Sequence, residues 1–306
     1  MTYKECSKVK VGFIGLGQMG RHIAMNLLKK SGVELIVSDI RTDTFAEFEK
    51  QGAMTTTDSA AVAQAEIIFL SLPNSKVVKD VLLGERGIIK SLREGQIVVD
   101  LSTITYNATI EIAKALEEQG AEFIDAPVSG MEARAREGTL TVMCGGRREI
   151  FVKVKPYLEC IGTKILYMGE HGSGQLTKLI NQLLFDINAA ALAEILPMAV
   201  KMGLDPEKVG EVVNSGTGRS YASEFFIPRI LENNFEEGYS LENAYKDLVS
   251  AAELSANECI PLPVLHAATT TYQMALLKGH GKRDKGAMIC VFEELLDVVY
   301  RKKNNR

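Results

Sequence analysis

A doubly wound α/β domain followed by an all-helical domain is the architecture predicted by the 306-residue sequence. Three observations carry that expectation. Up to about residue 168 short apolar runs alternate with helical patterns; a glycine-rich turn joins the first run to the first helical stretch; and from residue 172 strand signals stop while helical periodicity continues. The apolar runs at 9–14, 35–38, 67–70, 97–100, 123–125, 139–144 and 165–168 lack polar alternation. Strands read this way when helices cover both faces of their sheet. Helical patterns at 19–30, 44–50, 76–83 and 108–119 lie between them, so the sheet is expected to be mainly parallel. In the second half the helical stretches are 175–202, 206–214, 241–257, 265–277 and 285–301. Gly203 ends the first, Asp205 and Pro206 supply an N-cap and a proline at the first helical position of the second, and Asp284 is placed to cap the last. Pro197, inside the first, is expected to kink or break it. The change of pattern near residues 168–174 predicts domains over 1–170 and 171–306.

Composition narrows the functional classes. Lys+Arg 35 against Asp+Glu 39 gives a net charge of −4 and a pI near 5.8, which offers neither nucleic acid nor an anionic membrane a bulk electrostatic attraction. A chain 46% hydrophobic and 24% charged has the make-up of a soluble globular protein. Cys6, Cys144, Cys160, Cys259 and Cys290 lie far apart with no CxxC among them, so they are expected to be reduced thiols of a cytoplasmic protein. No His/Asp/Glu spacing suggests a metal site. The residues before the first apolar run carry mixed charge with no signal-peptide core, and the run itself is too short to span a bilayer. A soluble, cytoplasmic protein is expected.

The turn Gly15-Leu16-Gly17-Gln18-Met19-Gly20 has the spacing GxGxxG, after an apolar strand and opening a helix. Gly15 permits the tight turn, Gly17 lets backbone approach a pyrophosphate, and Gly20 lets helix and strand pack closely; the helix start turns N–H groups toward the phosphates. Asp39 lies 19 residues past Gly20, after the second apolar run, where a carboxylate accepts hydrogen bonds from the adenosine ribose. The same carboxylate repels a 2′-phosphate, which favours NAD. Arg41 supplies a route to NADP.

Three more segments carry chemistry: Asp125-Ala126-Pro127-Val128-Ser129-Gly130 after a strand, His171 through Asn181 opening the long helix, and Lys246-Asp247-Leu248 on a later one. Lys178 and Asn181 are three apart and share a helix face, which Phe185 continues. A lysine amine can donate a proton to a developing alkoxide or remove one from an alcohol. Free lysine, near pKa ~10.4, is a poor base at neutral pH, so burial must lower it.

With the glycine turn, this set of motifs resembles the β-hydroxyacid dehydrogenase family, in unbroken order over nearly the whole chain. The resemblance implies a Rossmann domain, a helical domain and a cleft between them, where NAD(P) exchanges hydride with a short 3-hydroxy acid of the 3-hydroxyisobutyrate type or its semialdehyde. It implies Lys178 as proton carrier and Asn181 as the group orienting the substrate. Ser129 and Gly130 would hold the substrate carboxylate. Leu72, Pro73 and Thr103 look like the family's nicotinamide-side residues, and Lys246 like the lysine that closes over the cofactor. A homodimer or homotetramer built on the helical half is also implied.

The chain departs from the family pattern at two positions where glycine is usual, Met131 and Arg134. Either Arg134, with Arg136, pairs with a second anionic group on the substrate, or both are solvated loop charges. The segment 216–221 looks like a further substrate-side loop. Two alternatives are an imine or keto-acid reductase on the same scaffold and a noncatalytic dinucleotide-binding module. Relatives of either kind replace the lysine that stands here at 178.

Overall fold

The computed structural model describes residues 9–302 and packs as two compact units, Met1–Lys178 and Leu179–Arg306. Cys6 lies outside the described residues; Cys144, Cys160, Cys259 and Cys290 are free thiols.

In the first unit the chain runs β1 (Lys10–Ile14), α1 (Gly20–Ser31), β2 (Glu34–Ser38), α2 (Phe45–Glu49), β3 (Met54–Thr56), β4 (Ile67–Leu70), α3 (Ser75–Leu83), β5 (Ile97–Asp100) and α4 (Tyr106–Glu118). It continues through β6 (Glu122–Asp125), β7 (Val128–Ser129), α5 (Met131–Glu137), β8 (Leu140–Gly146), α6 (Arg148–Leu158) and β9 (Gly162–Gly169). One sheet takes the order β3-β2-β1-β4-β5-β6-β8-β7, with β9 paired to β8. The first six strands of that order are mutually parallel, β8 is antiparallel to β6 and β7, and β9 is parallel to β8. The order reverses between β1 and β4, the place where doubly wound sheets leave a crevice beyond their strand ends.

The missing polar alternation now has its cause. Val11 and Phe13 of β1, with Val37, Phe69 and Val99, point into one apolar core, while Ile14, Ile36, Ile68 and Val98 point into another on the opposite face. Two core layers need apolar residues at consecutive positions, and the seven predicted strands all form. β3 and β7, three and two residues long, carry too little pattern to be read.

The second unit holds most of α7 (Ser173–Lys201), then α8 (Pro206–Ser215), α9 (Tyr221–Leu231), α10 (Leu241–Asn257), α11 (Pro263–Leu277) and α12 (Ile289–Leu296). Asp205 caps α8 by accepting the Glu207 and Lys208 N–H groups, and Asp284 accepts that of Gly286. Two expectations are corrected. Pro197 does not break α7, which runs unbroken to Lys201. A proline removes one N–H from the helix ladder, and here Ala189, Ala193, Leu196 and Ala199 are buried in the helical core on both sides of it. The stretch 285–301 is not one helix: a 3₁₀ turn over Lys285–Met288 leads into α12, which stops at Asp297 in the left-handed region (φ 52°). The segment 216–221 leads into α9, a helix beyond the five expected stretches, which Ser220 caps by accepting the Ser223 N–H.

With 29 residues, and a mean hydropathy of 1.7 over an 18-residue stretch of it, α7 is long and apolar enough to cross a membrane. It is also a core helix: its alanine stripe is buried in the second unit, and its Asp186 forms a fully buried ion pair with Lys285. The Lys285 ammonium also sits 4.0 Å from the Phe185 ring centroid.

Candidate active site

At the β1–α1 turn, each glycine of the GxGxxG spacing has a separate cause. Gly15 sits at φ +98°, and a Cβ on Gly20 would lie 1.9 Å from the Gly15 carbonyl oxygen. Nothing within 4 Å would meet a Cβ on Gly17. No protein packing requires that glycine, so its bare Cα suits a ligand approaching from outside, as a dinucleotide pyrophosphate does. Asp39 closes the turn from β2: its carboxylate accepts the Leu16 N–H at 2.6 Å and the Arg41 N–H at 2.8 Å. The Arg41 side chain is exposed, its Nε 3.9 Å from Asp39. Met19 stands at the α1 N-cap position.

Gln18 reaches in the other direction. Its side-chain amide donates to Glu132 Oε2 at 2.7 Å, and Arg21 and His22 meet Glu132 Oε1 at 3.0 Å. These bonds, Gln18 foremost, hold the Glu132 carboxyl down to about 2. Asn26 adds hydrogen bonds to the Ala135 and Arg136 carbonyls. The seven-residue helix α5, which follows Ser129 and Gly130, is thereby fastened to α1.

Gly130 (φ +142°) and Met131 (φ +59°) both occupy positive-φ backbone before α5. The family's glycine position keeps a glycine-like conformation here although Met131 fills it, and Met131 is exposed. Arg134 donates from Nη2 to the Thr139 carbonyl, closing the loop on itself, and Arg136 pairs with Glu132.

Beyond the ends of β4, β5 and β6 the site has a buried polar base. Asp100 and Asp125 are register partners on adjacent parallel strands, and both are fully buried. Asp100 Oδ1 accepts the Ser102 N–H at 2.9 Å, and Ser102 Oγ accepts the Leu72 N–H at 2.8 Å. Burial raises the Asp100 carboxyl from 3.8 to about 7 against the opposing hydrogen bonds from Ser102. Asp125 accepts the N–H groups of Gly172 (2.8 Å) and Gln175 (2.9 Å), a carboxylate placed on the N-terminus of α7 where the helix dipole favours it. Burial nonetheless raises its pKa. Leu72 is half-buried, while Pro73 and Thr103 are exposed at the loop surface.

Lys178 lies one turn further along α7 and is 8% exposed. Gly15–Gly20, Asp39, Leu72, Pro73, Thr103, Ser129–Met131, Arg134 and Lys178 all lie in the first unit. Asn181 and Lys246 belong to the second unit; both are exposed, and the Lys246 Nζ donates to Asn243 Oδ1 at 3.0 Å. Sequence reasoning missed the roles of Ser102, Gln175 and Glu132. An aspartate ending an apolar strand, as at Asp100 and Asp125, is the signal that could have found the buried base. Among the described residues no group of His, Cys, Asp and Glu is arranged to hold a metal ion.

Comparison with known proteins gives the same picture along the chain. Residues 10–169 match the family described as the NAD binding domain of 6-phosphogluconate dehydrogenase. Residues 172–292 match the one described as NAD-binding of NADP-dependent 3-hydroxyisobutyrate dehydrogenase. The chain is 38% identical over 292 residues to 2-(hydroxymethyl)glutarate dehydrogenase of Eubacterium barkeri, covering 95% of this chain and 97% of that protein. It is 36% identical over 286 residues to the mitochondrial 3-hydroxyisobutyrate dehydrogenase of Mus musculus, covering 91% and 85%. Among solved structures, 3-hydroxyisobutyrate dehydrogenase from Salmonella typhimurium superposes with a TM-score of 0.82 at 27% identity, over 93% of this chain and all of that one.

Proposed function

The chain belongs to the β-hydroxyacid dehydrogenase family, and from that premise we propose the reaction and the residues that carry it. It is an NAD(P)-dependent oxidoreductase acting on a CH–OH group, and its substrate is a short 3-hydroxy acid or the corresponding semialdehyde. When bound, the nicotinamide accepts or returns the hydride.

The chain's own residues do the rest. The turn of Gly15, Gly17, Gln18, Met19 and Gly20 receives the pyrophosphate, and Asp39 receives the ribose hydroxyls, which favours NAD over NADP. Leu72, Pro73 and Thr103 flank the nicotinamide, and Lys246 closes over the cofactor. Ser129, Gly130 and Met131 hold the substrate carboxylate, and Asn181 orients its hydroxyl. Lys178 gives a proton to the alkoxide oxygen during reduction and removes it during oxidation. The Arg134 hydrogen bond to Thr139 favours a loop-closing arginine, whose remaining N–H groups face a distal carboxylate only on the longer, dianionic substrates. The nucleotide tasks fall to a domain over 1–170 and the helical tasks to one over 171–306. The enzyme works as a soluble, cytoplasmic homodimer or homotetramer assembled on the helical half.

The observation that carries this reading is the burial of Lys178. Lysine is almost never fully buried unless paired, and this one, 8% exposed, follows a helix turn fastened to the loop that bears Thr103 and to the strand end that leads to Ser129. The test is NADH formation followed by stopped-flow absorbance with 3-hydroxyisobutyrate, glycerate and 2-(hydroxymethyl)glutarate. At least one is oxidised by the wild-type enzyme, and Lys178→Ala oxidises it about 10²–10⁴-fold more slowly. No turnover of any by a wild-type protein that binds NAD+ would leave a binding module instead.

A further inference from the structure

Four segments that carry the proposed site are linked through hydrogen bonds of Gln175, Ser102 and Asp125. Gln175, 2% exposed, donates from Nε2 to the Ser102 carbonyl at 2.7 Å and accepts the Ile104 N–H on Oε1 at 3.2 Å. Its two hydrogen bonds bracket Thr103. Its backbone N–H goes to Asp125, whose other oxygen takes the Gly172 N–H. Ser102, one of its partners, accepts the Leu72 N–H on Oγ. The loops after β4, β5 and β6 and the first turn of α7 are therefore joined through Gln175, Ser102 and Asp125.

We propose that Gln175 is a positioning residue for the dehydrogenase reaction: it locks the first turn of α7, and with it the Lys178 amine, to the loop bearing Thr103. The inference rests on the reading of Lys178 given above. A side-chain amide suits the task because it offers a donor and an acceptor in one rigid plane, matched here to a C=O and an N–H two residues apart. Lys178 is three residues on and shares the Gln175 face of the helix, so a tilt of that turn moves the amine directly. Misplacement of a reacting group by about 1 Å is enough to cost on the order of 10²-fold in rate. The bonds span more than seventy residues of sequence, so no local rule of helix formation calls for them.

The test compares Gln175→Met, which keeps the length and loses both hydrogen bonds, with Gln175→Glu, which keeps the acceptor for Ile104 and loses the donor for Ser102. The measurements are kcat, the NAD+ dissociation constant and the primary deuterium isotope effect, using the fastest of the three hydroxy acids above deuterated at its carbinol carbon. The expected result for Gln175→Met is a kcat lowered about 10- to 100-fold, NAD+ affinity within threefold of wild type, and an isotope effect raised because the chemical step has become limiting. Gln175→Glu falls between the two and serves alone if the methionine variant does not fold. A kcat within threefold of wild type, or a loss that tracks the folded fraction with an unchanged isotope effect, overturns the proposal. Lys178→Ala is assayed in parallel. If it is inactive while the Gln175 variants match wild type, the positioning role alone is wrong; if it is active, the reading beneath it goes as well.

Discussion

Asp100 offers a test of the buried base that needs no substrate. Its carboxyl is fully buried beside Asp125 and held at about 7 by desolvation, against its ordinary 3.8. The folded protein therefore binds a proton more tightly there than the unfolded chain does. Stability from this group is fully present below about pH 4 and is lost as pH rises through 7. At 1.36 kcal/mol per tenfold change in affinity, the displacement corresponds to about 4 kcal/mol, an upper bound because neighbouring groups relax. Asp100→Asn keeps an oxygen for the Ser102 N–H and removes the ionisation. It leaves an amide at the position of Oδ2, which has no hydrogen-bond partner, and that costs about 1–3 kcal/mol at every pH. The diagnostic quantity is thus the difference between variant and wild type in urea-unfolding free energy, measured from pH 4.5 to 8.5. Asp125 is also raised by burial and its charge pushes Asp100 up in turn, so the difference reads Asp100 together with its coupling to Asp125. The variant should gain on wild type by roughly 2–4 kcal/mol across the range. A difference flat to within about 1 kcal/mol would refute the assignment of a protonation equilibrium to Asp100.

Four further outcomes follow from the geometry. Lys178→Ala should lower kcat by about 10²–10⁴-fold with NAD+ affinity little changed, as measured by fluorescence titration; retention of more than about a tenth of the activity contradicts the proton role. Wild-type kcat/KM should favour NAD over NADP, and Asp39→Ala should erase most of that preference; a tenfold preference of wild type for NADP would reverse the reading of Asp39. Gly130→Ala should destabilise the fold by about 1–3 kcal/mol and raise KM for the hydroxy acid. Its Cβ would stand 2.9 Å from Arg134 Cβ in a positive-φ backbone, and thermal unfolding with steady-state kinetics checks both effects. Lys285→Met removes the cation facing buried Asp186 and should cost about 3–5 kcal/mol in denaturant unfolding, whereas a loss below about 1 kcal/mol would show the pair to be replaceable.

How far the sequence could be read depended on how local each signal was. The strands were legible because two core layers demand continuous apolar runs, and β3 and β7 were not because three or two residues hold no pattern. α5 (MEARARE) buries only Ala135 and shows no apolar stripe. α6 and α9 fail for another reason. Each contains a proline, Pro156 and Pro228, and Pro197 lies within α7; sequence rules treat such residues as stops. In each helix a buried face continues around the proline, such as Ile150, Phe151, Val154 and Leu158 in α6. Packing along that face offsets the single hydrogen bond that proline removes.

The candidate site divides along the same line. Gly15–Gly20 and Asp39 could be read because a strand, a turn and a helix fix their geometry within thirty residues. Lys178 was legible through its register with Asn181 together with the family resemblance of the motif around it, since helical spacing places residues on a face but says nothing of what that face meets. Gln175 gave no signal at all. Its partners Ser102 and Ile104 come from a loop that the parallel sheet brings to the same strand ends as Asp125. A parallel sheet gathers such segments because every crossover returns the chain to the same end. Function in this chain therefore concentrates where sequence distance is greatest, and the groups that hold the chemistry in register are the ones a linear reading sees last.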